Sequence, residues 1–536
     1  MENNKNKSLK VTEENHTSDY KIYHQYENIY EMFTTQAKKY PKKKYIQFED
    51  IVYTYEESRK IINQMASFMK AKGVKQDDKV ILLLGNSPEF VFSVFATFAV
   101  GAVLIPINTF FKGHEASYIV HDSESSFIIS SKEFEAVIED VRVNCPEIKE
   151  IFTFDNQIFG AINFYDHIKN FSSDNHNSPA KFEDVGIFIY TSGTTGHPKG
   201  AMLTHSNILE SLISYSIALK ASHKDKVLII LPMFHTYTFS TCIMWPSSYG
   251  GSMIILKSVM DMKKDRFKKI LIYKRPTIML GVPQVYSALA KSPMPKWFIK
   301  LLYPIRIHIS GGAPLPAEIF DQFKKKFGRA VIEGYGLSEA SPVVAFNPQD
   351  KQKQGTVGLP LNRVEVKIVD DEEKEVPVGE IGELIIKGPN IMKGYWHMPK
   401  ATDDAIKNGW LFTGDFAKLD NEGYLTIVDR KKDLIIAKGM NVYPREVEEV
   451  IYTFPGVEAA AVIGVPSQEL GEMIVAYVQP KENETIDEKA LRNYLAKDLA
   501  NFKLPRQIKI IHNIPLTATG KVLKRELKKL VSEGKM

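Results

Sequence analysis

From Tyr190 to Gly200 the chain runs Tyr-Thr-Ser-Gly-Thr-Thr-Gly-His-Pro-Lys-Gly, a stretch of glycines and small hydroxyls that ends in a lysine and a glycine. Glycine lets backbone N–H groups approach an anion, Ser and Thr add hydroxyl donors, and lysine adds a point charge suited to phosphate. Thr191, Ser192, Gly193, Thr194, Thr195, Gly196 and Lys199 therefore form a candidate polyphosphate cradle. The spacing is not that of a Walker loop. Gly193 and Gly196 stand too close, Pro198 precedes the lysine, and Gly200 replaces the Ser/Thr that would hold magnesium. On its own the stretch reads equally as a Gly/Ser-rich turn.

The elements around it must fix its place. Val185–Ile189 is an apolar run ahead of the loop, and behind it Asn207 and Glu210 have capping-box spacing. Ile208, Leu212, Tyr215 and Leu219 then share one helix face. Two longer segments repeat one layout. Asp78–Leu84 leads through an apolar helix to Gly101–Ile105, and Asp225–Leu231 leads through an apolar stretch to Gly250–Ile255. Each reads as strand, crossover and parallel strand, so the fold class is α/β with two similar lobes. After Gly355, strands over 364–369, 382–387 and 423–428, separated by Gly, Asp and Asn turns, predict a β-rich third lobe. Strands over 459–465, 474–478 and 507–511 and helices over 444–452 and 488–499 predict a small α+β domain. The expected division is a large domain over 1–430, with 1–20 a disordered lead-in, and a small domain over 431–536. The charged run Asp429-Arg430-Lys431-Lys432-Asp433 marks the boundary, and by itself it reads as a solvated turn.

Bulk properties narrow the function. A chain of 536 residues exceeds one hydrophobic core. A net charge of +5 is too small over that length to imply a nucleic-acid partner. Cys145 and Cys242 are far apart, which excludes a disulfide framework and a cysteine zinc site and fits a reducing cytosol. Val91–Ile107 is too short and too interrupted to span a membrane and reads as a buried helix and strand. Met294–Tyr303 mixes cations, aromatics and aliphatics. It reads as a surface helix with a buried face, or as a contact with the inner face of a membrane.

Further motifs follow the loop in order: Leu231-Pro232-Met233-Phe234-His235, Ser310-Gly311-Gly312-Ala313-Pro314-Leu315, and Glu333-Gly334-Tyr335-Gly336-Leu337-Ser338-Glu339. Then come Trp410-Leu411-Phe412-Thr413-Gly414-Asp415, Asp429–Leu434 and Pro515-Leu516-Thr517-Ala518-Thr519-Gly520-Lys521. The series resembles the adenylate-forming superfamily, which includes acyl-CoA synthetases, nonribosomal adenylation domains and luciferases. The resemblance implies ATP, Mg2+ and coenzyme A as cofactors and a reaction in two steps. A carboxylate attacks the α-phosphorus of ATP, and a thiol then takes the acyl group from the adenylate.

The same resemblance implies roles. Glu339 and Thr191 would hold the metal, and Lys521 would bridge carboxylate and α-phosphate. Tyr335 would lie against adenine with Gly312, Ala313 and Gly334 close by, inside a nucleotide site that also includes Glu333, Gly336 and Ser338. Asp415 and Arg430 would take the ribose. Lys432 would be the hinge of a mobile small domain whose rotation removes Lys521 and brings Lys438 and Gly439 to the thiol tunnel. His235 would stand between acid and CoA channel, with Tyr237, Phe239, Gly281 and Val282 in the acyl pocket. Ile436 and Asn441 replace a lysine and a tryptophan of several long-chain members, which puts local nucleotide contacts there in doubt.

The stretches Glu333–Pro342 and Gly388–Trp396 most resemble AMP-forming fatty-acid and coumarate-type CoA ligases, and the implied acyl walls are apolar with a few hydroxyls, so a medium- to long-chain fatty acid is expected, as monomer or homodimer in the cytoplasm. An aromatic, coumarate-type acid and a carrier-protein acceptor are the alternatives. From a different class, Gly336-Leu337-Ser338-Glu339-Ala340 approaches a nucleophile elbow, which would make Ser338 the nucleophile of an esterase with His397 or His512 as base.

Overall fold

In the computed structural model the described residues are 26–533, apart from 156–157, 159, 193–197, 263, 438–439, 468–470 and 518–521. The first lobe is built on parallel strands joined by helices. β1 (Lys79–Leu83) runs through α1 (Pro88–Val100) to β2 (Val103–Pro106). Ser87 caps α1, Pro88 sits in its first turn, and Gly101 ends it at φ 84°. All of α1 except Glu89 is buried, which explains why this apolar run needs no amphipathic pattern. α2 (Gly113–Ser123), β3 (Phe127–Ser130) and α3 (Glu135–Asn144) continue the lobe, with β3 on the other side of β1.

β4 (Val185–Ser192) joins the sheet beside β2, and β5 (Pro198–Thr204) turns back antiparallel to it. α4 (His205–Leu219) follows directly. Its capping box is Thr204 with Asn207, not the expected Asn207 with Glu210. Thr204 Oγ1 accepts from Asn207 N–H at 3.1 Å, and Asn207 Oδ1 accepts from Thr204 N–H at 3.0 Å. The spacing rule finds the box but slips by a turn, because Glu210 is engaged by Arg363 instead.

The second lobe repeats the layout. β6 (Lys226–Ile229) and β7 (Ser252–Ile255) pair in parallel, as the sequence pattern predicts. β8 (Ile278–Gly281), α5 (Pro283–Lys291), α6 (Lys296–Leu302), β9 (Ile307–Ser310), β10 (Ile332–Gly336) and β11 (Val343–Phe346) complete it. Phe298 and Ile299 of α6 are buried while Trp297 and Leu301 are exposed, so α6 is a surface helix with a buried face. No described helix is long and apolar enough to cross a membrane.

The β-rich third lobe is a five-stranded sheet that includes β12 (Glu365–Val369) and β13 (Gly382–Lys387). β14 (Gly394–Tyr395) leaves it to pair with β5, and the chain then returns in β15 (Trp410–Leu419) and β16 (Leu425–Arg430). β15 was not legible in the sequence, because its Thr-Gly-Asp stretch breaks the apolar alternation and the register shifts at Phe416/Ala417. The small domain follows as α7 (Pro444–Tyr452), β17 (Val457–Ser467), β18 (Gly471–Pro480), α8 (Glu488–Asp498), β19 (Gln507–Ile510) and α9 (Lys524–Ser532). Its apolar clusters, around Val447, Leu491 and Ala476 and around Ala461 and Leu527, are separate from the large-domain core.

Candidate active site

The stretch Tyr190–Gly200 begins and ends in the antiparallel pair β4 and β5. Tyr190 lies opposite Gly200, Thr191 opposite Lys199 and Ser192 opposite Pro198. Gly193, Thr194, Thr195 and Gly196 lie outside the described residues. The outer pair is structural. Tyr190 donates its hydroxyl to Asp122 at 2.6 Å, and a side chain at Gly200 would meet the Tyr190 ring at 3.2 Å. Trp396 N–H closes on the Gly200 carbonyl at 2.8 Å.

The next pair faces chemistry. Thr191 donates its hydroxyl to Glu339 Oε1 at 3.4 Å, and Tyr395 donates to the same oxygen at 3.0 Å. Lys199 Nζ stands 5.2 Å from the centre of the Tyr395 ring. Burial and the charge of Glu339 raise the pKa of the Tyr395 hydroxyl, which keeps it a donor. Tyr395 carries no sequence signal of its own. Its position beside Ala201 depends on a two-residue edge strand that no local pattern announces. Thr191 and Glu339 present hard oxygen donors from two segments at one place, the donor chemistry that magnesium prefers.

A second cluster lies along β10. Tyr335 donates its hydroxyl to Asp415 Oδ2 at 2.5 Å, and Arg430 Nε stands 3.6 Å from Asp415 Oδ1. β15 and β16 set Asp415 directly opposite Arg430. Close packing makes glycine the only fit at two neighbouring positions. A Cβ on Gly334 would come within 2.7 Å of the Phe346 ring, and one on Gly336 within 2.0 Å of the Pro342 carbonyl oxygen. Gly312, at φ 79°, has only Val282 near its Cβ position, at 3.9 Å, and Ala313 beside it is half-buried. Glu333 is buried beneath this loop and accepts from Leu315 N–H at 3.4 Å. Burial pushes its carboxyl up to about 7, against the pull of Arg445.

The expected acyl walls also come together here. His235 caps a single helical turn, its Nδ1 accepting from Tyr237 N–H at 3.3 Å. Tyr237 packs on Gly311, whose Cβ position lies 3.0 Å from the ring, and Gly311 N–H bonds the Gly281 carbonyl at 3.2 Å. Phe239 is fully buried, and Val282 is buried next to Gly312. Ser338 Oγ meets the Thr236 hydroxyl at 3.0 Å, whereas His397 stacks on Trp396 at 4.0 Å. His512 lines a crevice of about 950 Å³ beside α5, with Gln284 and Glu458. Among the described residues the partner of Ser338 Oγ is a hydroxyl, while His397 and His512 are placed elsewhere.

Lys521, Lys438 and Gly439 lie outside the described residues. Lys432 sits in the single turn Lys431–Asp433 directly after β16. On the flanks of Lys521, Leu516 and Val522 pair in an antiparallel bridge and Leu523 N–H bonds the Pro515 carbonyl at 2.9 Å. Beyond it Lys524 pairs with Glu448 at 2.7 Å, both largely buried.

A hydroxyl-rich hairpin facing a carboxylate can grip a metal-bound polyphosphate, and an aspartate beside a tyrosine can take the sugar of a nucleotide. Together with a separate small domain, this is how adenylate-forming enzymes are built. Residues 33–396 match the family model described as AMP-binding enzyme, and 446–521 match the AMP-binding enzyme C-terminal domain. The chain is 33% identical over 481 residues to a feruloyl-CoA synthase of Amycolatopsis, covering 89% of this chain and 93% of that one. It is 32% identical over 529 residues to a long-chain-fatty-acid–CoA ligase of Bacillus subtilis, covering 92% and 93%. The solved structure of ATP-bound MatB from Rhodopseudomonas palustris superposes with a TM-score of 0.87 at 31% identity, covering 95% of this chain and all of that one. The chain belongs to the AMP-binding enzyme family, within the adenylate-forming superfamily.

Proposed function

We propose that the chain activates a medium- to long-chain fatty acid as its adenylate, releasing pyrophosphate, and passes the acyl group to coenzyme A. AMP-forming ligation of a carboxylic acid to CoA is the activity of the chain. What is proposed is the acid and the residues that serve it. The observation that supports the fatty-acid reading is the apolar wall of buried Tyr237 and Val282, which stand against Gly311 and Gly312. Such a wall rewards chain length, at about 0.8 kcal/mol per methylene buried. An aromatic acid is the second reading, favoured by the similarity to the feruloyl-CoA synthase.

Thr191 and Glu339 would hold Mg2+, which would supply positive charge against the phosphates. Ser192, Gly193, Thr194, Thr195, Gly196 and Lys199 grip the β- and γ-phosphates. Tyr335 lies against adenine within the walls of Gly312, Ala313, Gly334 and Gly336, braced by Glu333 and Ser338. Asp415 and Arg430 take the ribose. Lys521 neutralises the charge that builds between carboxylate and α-phosphate. The small domain turns at Lys432, withdrawing Lys521 and bringing in Lys438 and Gly439, with His235 at the channel between acid and thiol. Exposed Trp297 and Leu301 on α6 offer an apolar contact for a membrane surface where fatty acids partition.

The test is a panel of medium- and long-chain fatty acids, coumarate and ferulate, scored by CoA-dependent AMP release. The fatty-acid reading expects kcat/KM to rise with chain length and to exceed that for ferulate. Faster turnover of ferulate selects the second reading, and no AMP release without a carrier protein selects the carrier acceptor.

A further inference from the structure

We propose that His121, Cys145 and Glu147 form a binding site for a divalent transition cation of the zinc class. His121 lies in the last turn of α2, and Cys145 and Glu147 lie just past α3. Pro146 stops α3, and Ile148 N–H returns to the Cys145 carbonyl at 3.2 Å. That turn, with proline in its second position, sets Cys145 and Glu147 side by side against α2. His121 Nδ1 is 2.6 Å from Glu147 Oε1, and His121 Nε2 is 3.7 Å from Cys145 Sγ. One ligand atom from each of the three lies within 4.8 Å of the others. Zinc bond lengths of about 2.0–2.3 Å set neighbouring ligand atoms of a tetrahedral site roughly 3.4–3.8 Å apart, so with one imidazole nitrogen as the ligand the three atoms, spread over as much as 4.8 Å, must close by about 1 Å.

The ligand types agree with that choice. Thiolate and imidazole favour zinc-class cations over magnesium, which selects an all-oxygen site such as the one at Glu339. Ser117, one turn before His121 on α2, is buried, and its carbonyl lies 3.8 Å from Cys145 Sγ. Two cysteines without C-x-x-C spacing exclude a zinc site built on cysteine pairs. Here one cysteine is completed by residues that only the α2–α3 packing brings together. α2 also carries Asp122, which holds Tyr190, so a cation at His121 braces the helix behind the hairpin.

The test titrates Co2+ into the chelator-treated full chain without nucleotide. One Co2+ per chain is expected, with a thiolate-to-cobalt charge-transfer band that Zn2+ abolishes. Cys145→Ser should lose the band, and His121→Ala and Glu147→Gln should weaken binding roughly tenfold or more. His121 and Glu147 are part-exposed, at 52% and 34% of their side chains, so those two variants serve if Cys145→Ser fails to fold. No band in the unaltered chain, a band that survives Cys145→Ser, or unchanged affinity in both other variants overturns the proposal.

Discussion

At Glu339 a carboxylate oxygen accepts from Thr191 of one segment and Tyr395 of another, while its own carbonyl accepts Met392 N–H at 2.8 Å. A group fixed by three contacts arrives at the reaction without having to reorganise, which is where electrostatic stabilisation gains most of its effect. Glu339→Gln keeps the size and loses the charge. It should lower acid-dependent pyrophosphate exchange about 10²–10³-fold while leaving the melting temperature nearly unchanged. A loss below tenfold would remove Glu339 from the metal site. The sequence motifs named Thr191 with Glu339 and Tyr335 with Asp415, pairs that do stand in contact, whereas Lys521 lies outside the described residues. Tyr395 was not legible, because its role arises from a contact between segments nearly two hundred residues apart.

At the level of elements, the glycines of the motifs do two different things. Gly312 stands open, with only Val282 near its Cβ position at 3.9 Å, whereas Gly336 is pressed against the Pro342 carbonyl. Gly336→Ala therefore cannot be absorbed by a rotating side chain. It should destabilise the large domain by at least about 1–3 kcal/mol, read as a lower melting temperature. An unchanged melting temperature would show that the β10–β11 turn relaxes freely. The parallel strand–helix–strand units were legible from apolar runs, and so were the small-domain helix Pro444–Tyr452 and the strands beside it. The hairpin was not. Pro198–Thr204 reads as the end of a loop because its polar start masks a strand whose other half is set by pairing with β4.

Across the whole molecule, the two domains meet where buried charges gather. Arg445 of α7 gives its N–H to Asp429 Oδ2 at 2.8 Å and its guanidinium to the Ile427 carbonyl at 2.6 Å, and its charge acts on buried Glu333. The Glu333 carboxyl is raised from 4.5 to about 7, mainly by burial, with Glu449 adding to the rise and Arg445 opposing it. The folded chain thus holds this proton more tightly than the unfolded one. Glu333 is neutral to stability below about pH 4.5, costs stability as pH rises towards 7, and costs about 3 kcal/mol above that. Glu333→Gln should flatten that part of the melting-temperature profile and raise stability at pH 8. Parallel profiles for the two proteins would contradict it.

The proposed site is divided between domains, with the hairpin and Glu339 on the large one and Lys521 on the small one. Its most direct test separates the half-reactions in Lys521→Ala. Acid-dependent adenylation should be abolished, while transfer from preformed acyl-AMP to CoA proceeds at close to the unaltered rate. Equal loss of both half-reactions, or adenylation that survives, would contradict the division of labour proposed for this enzyme.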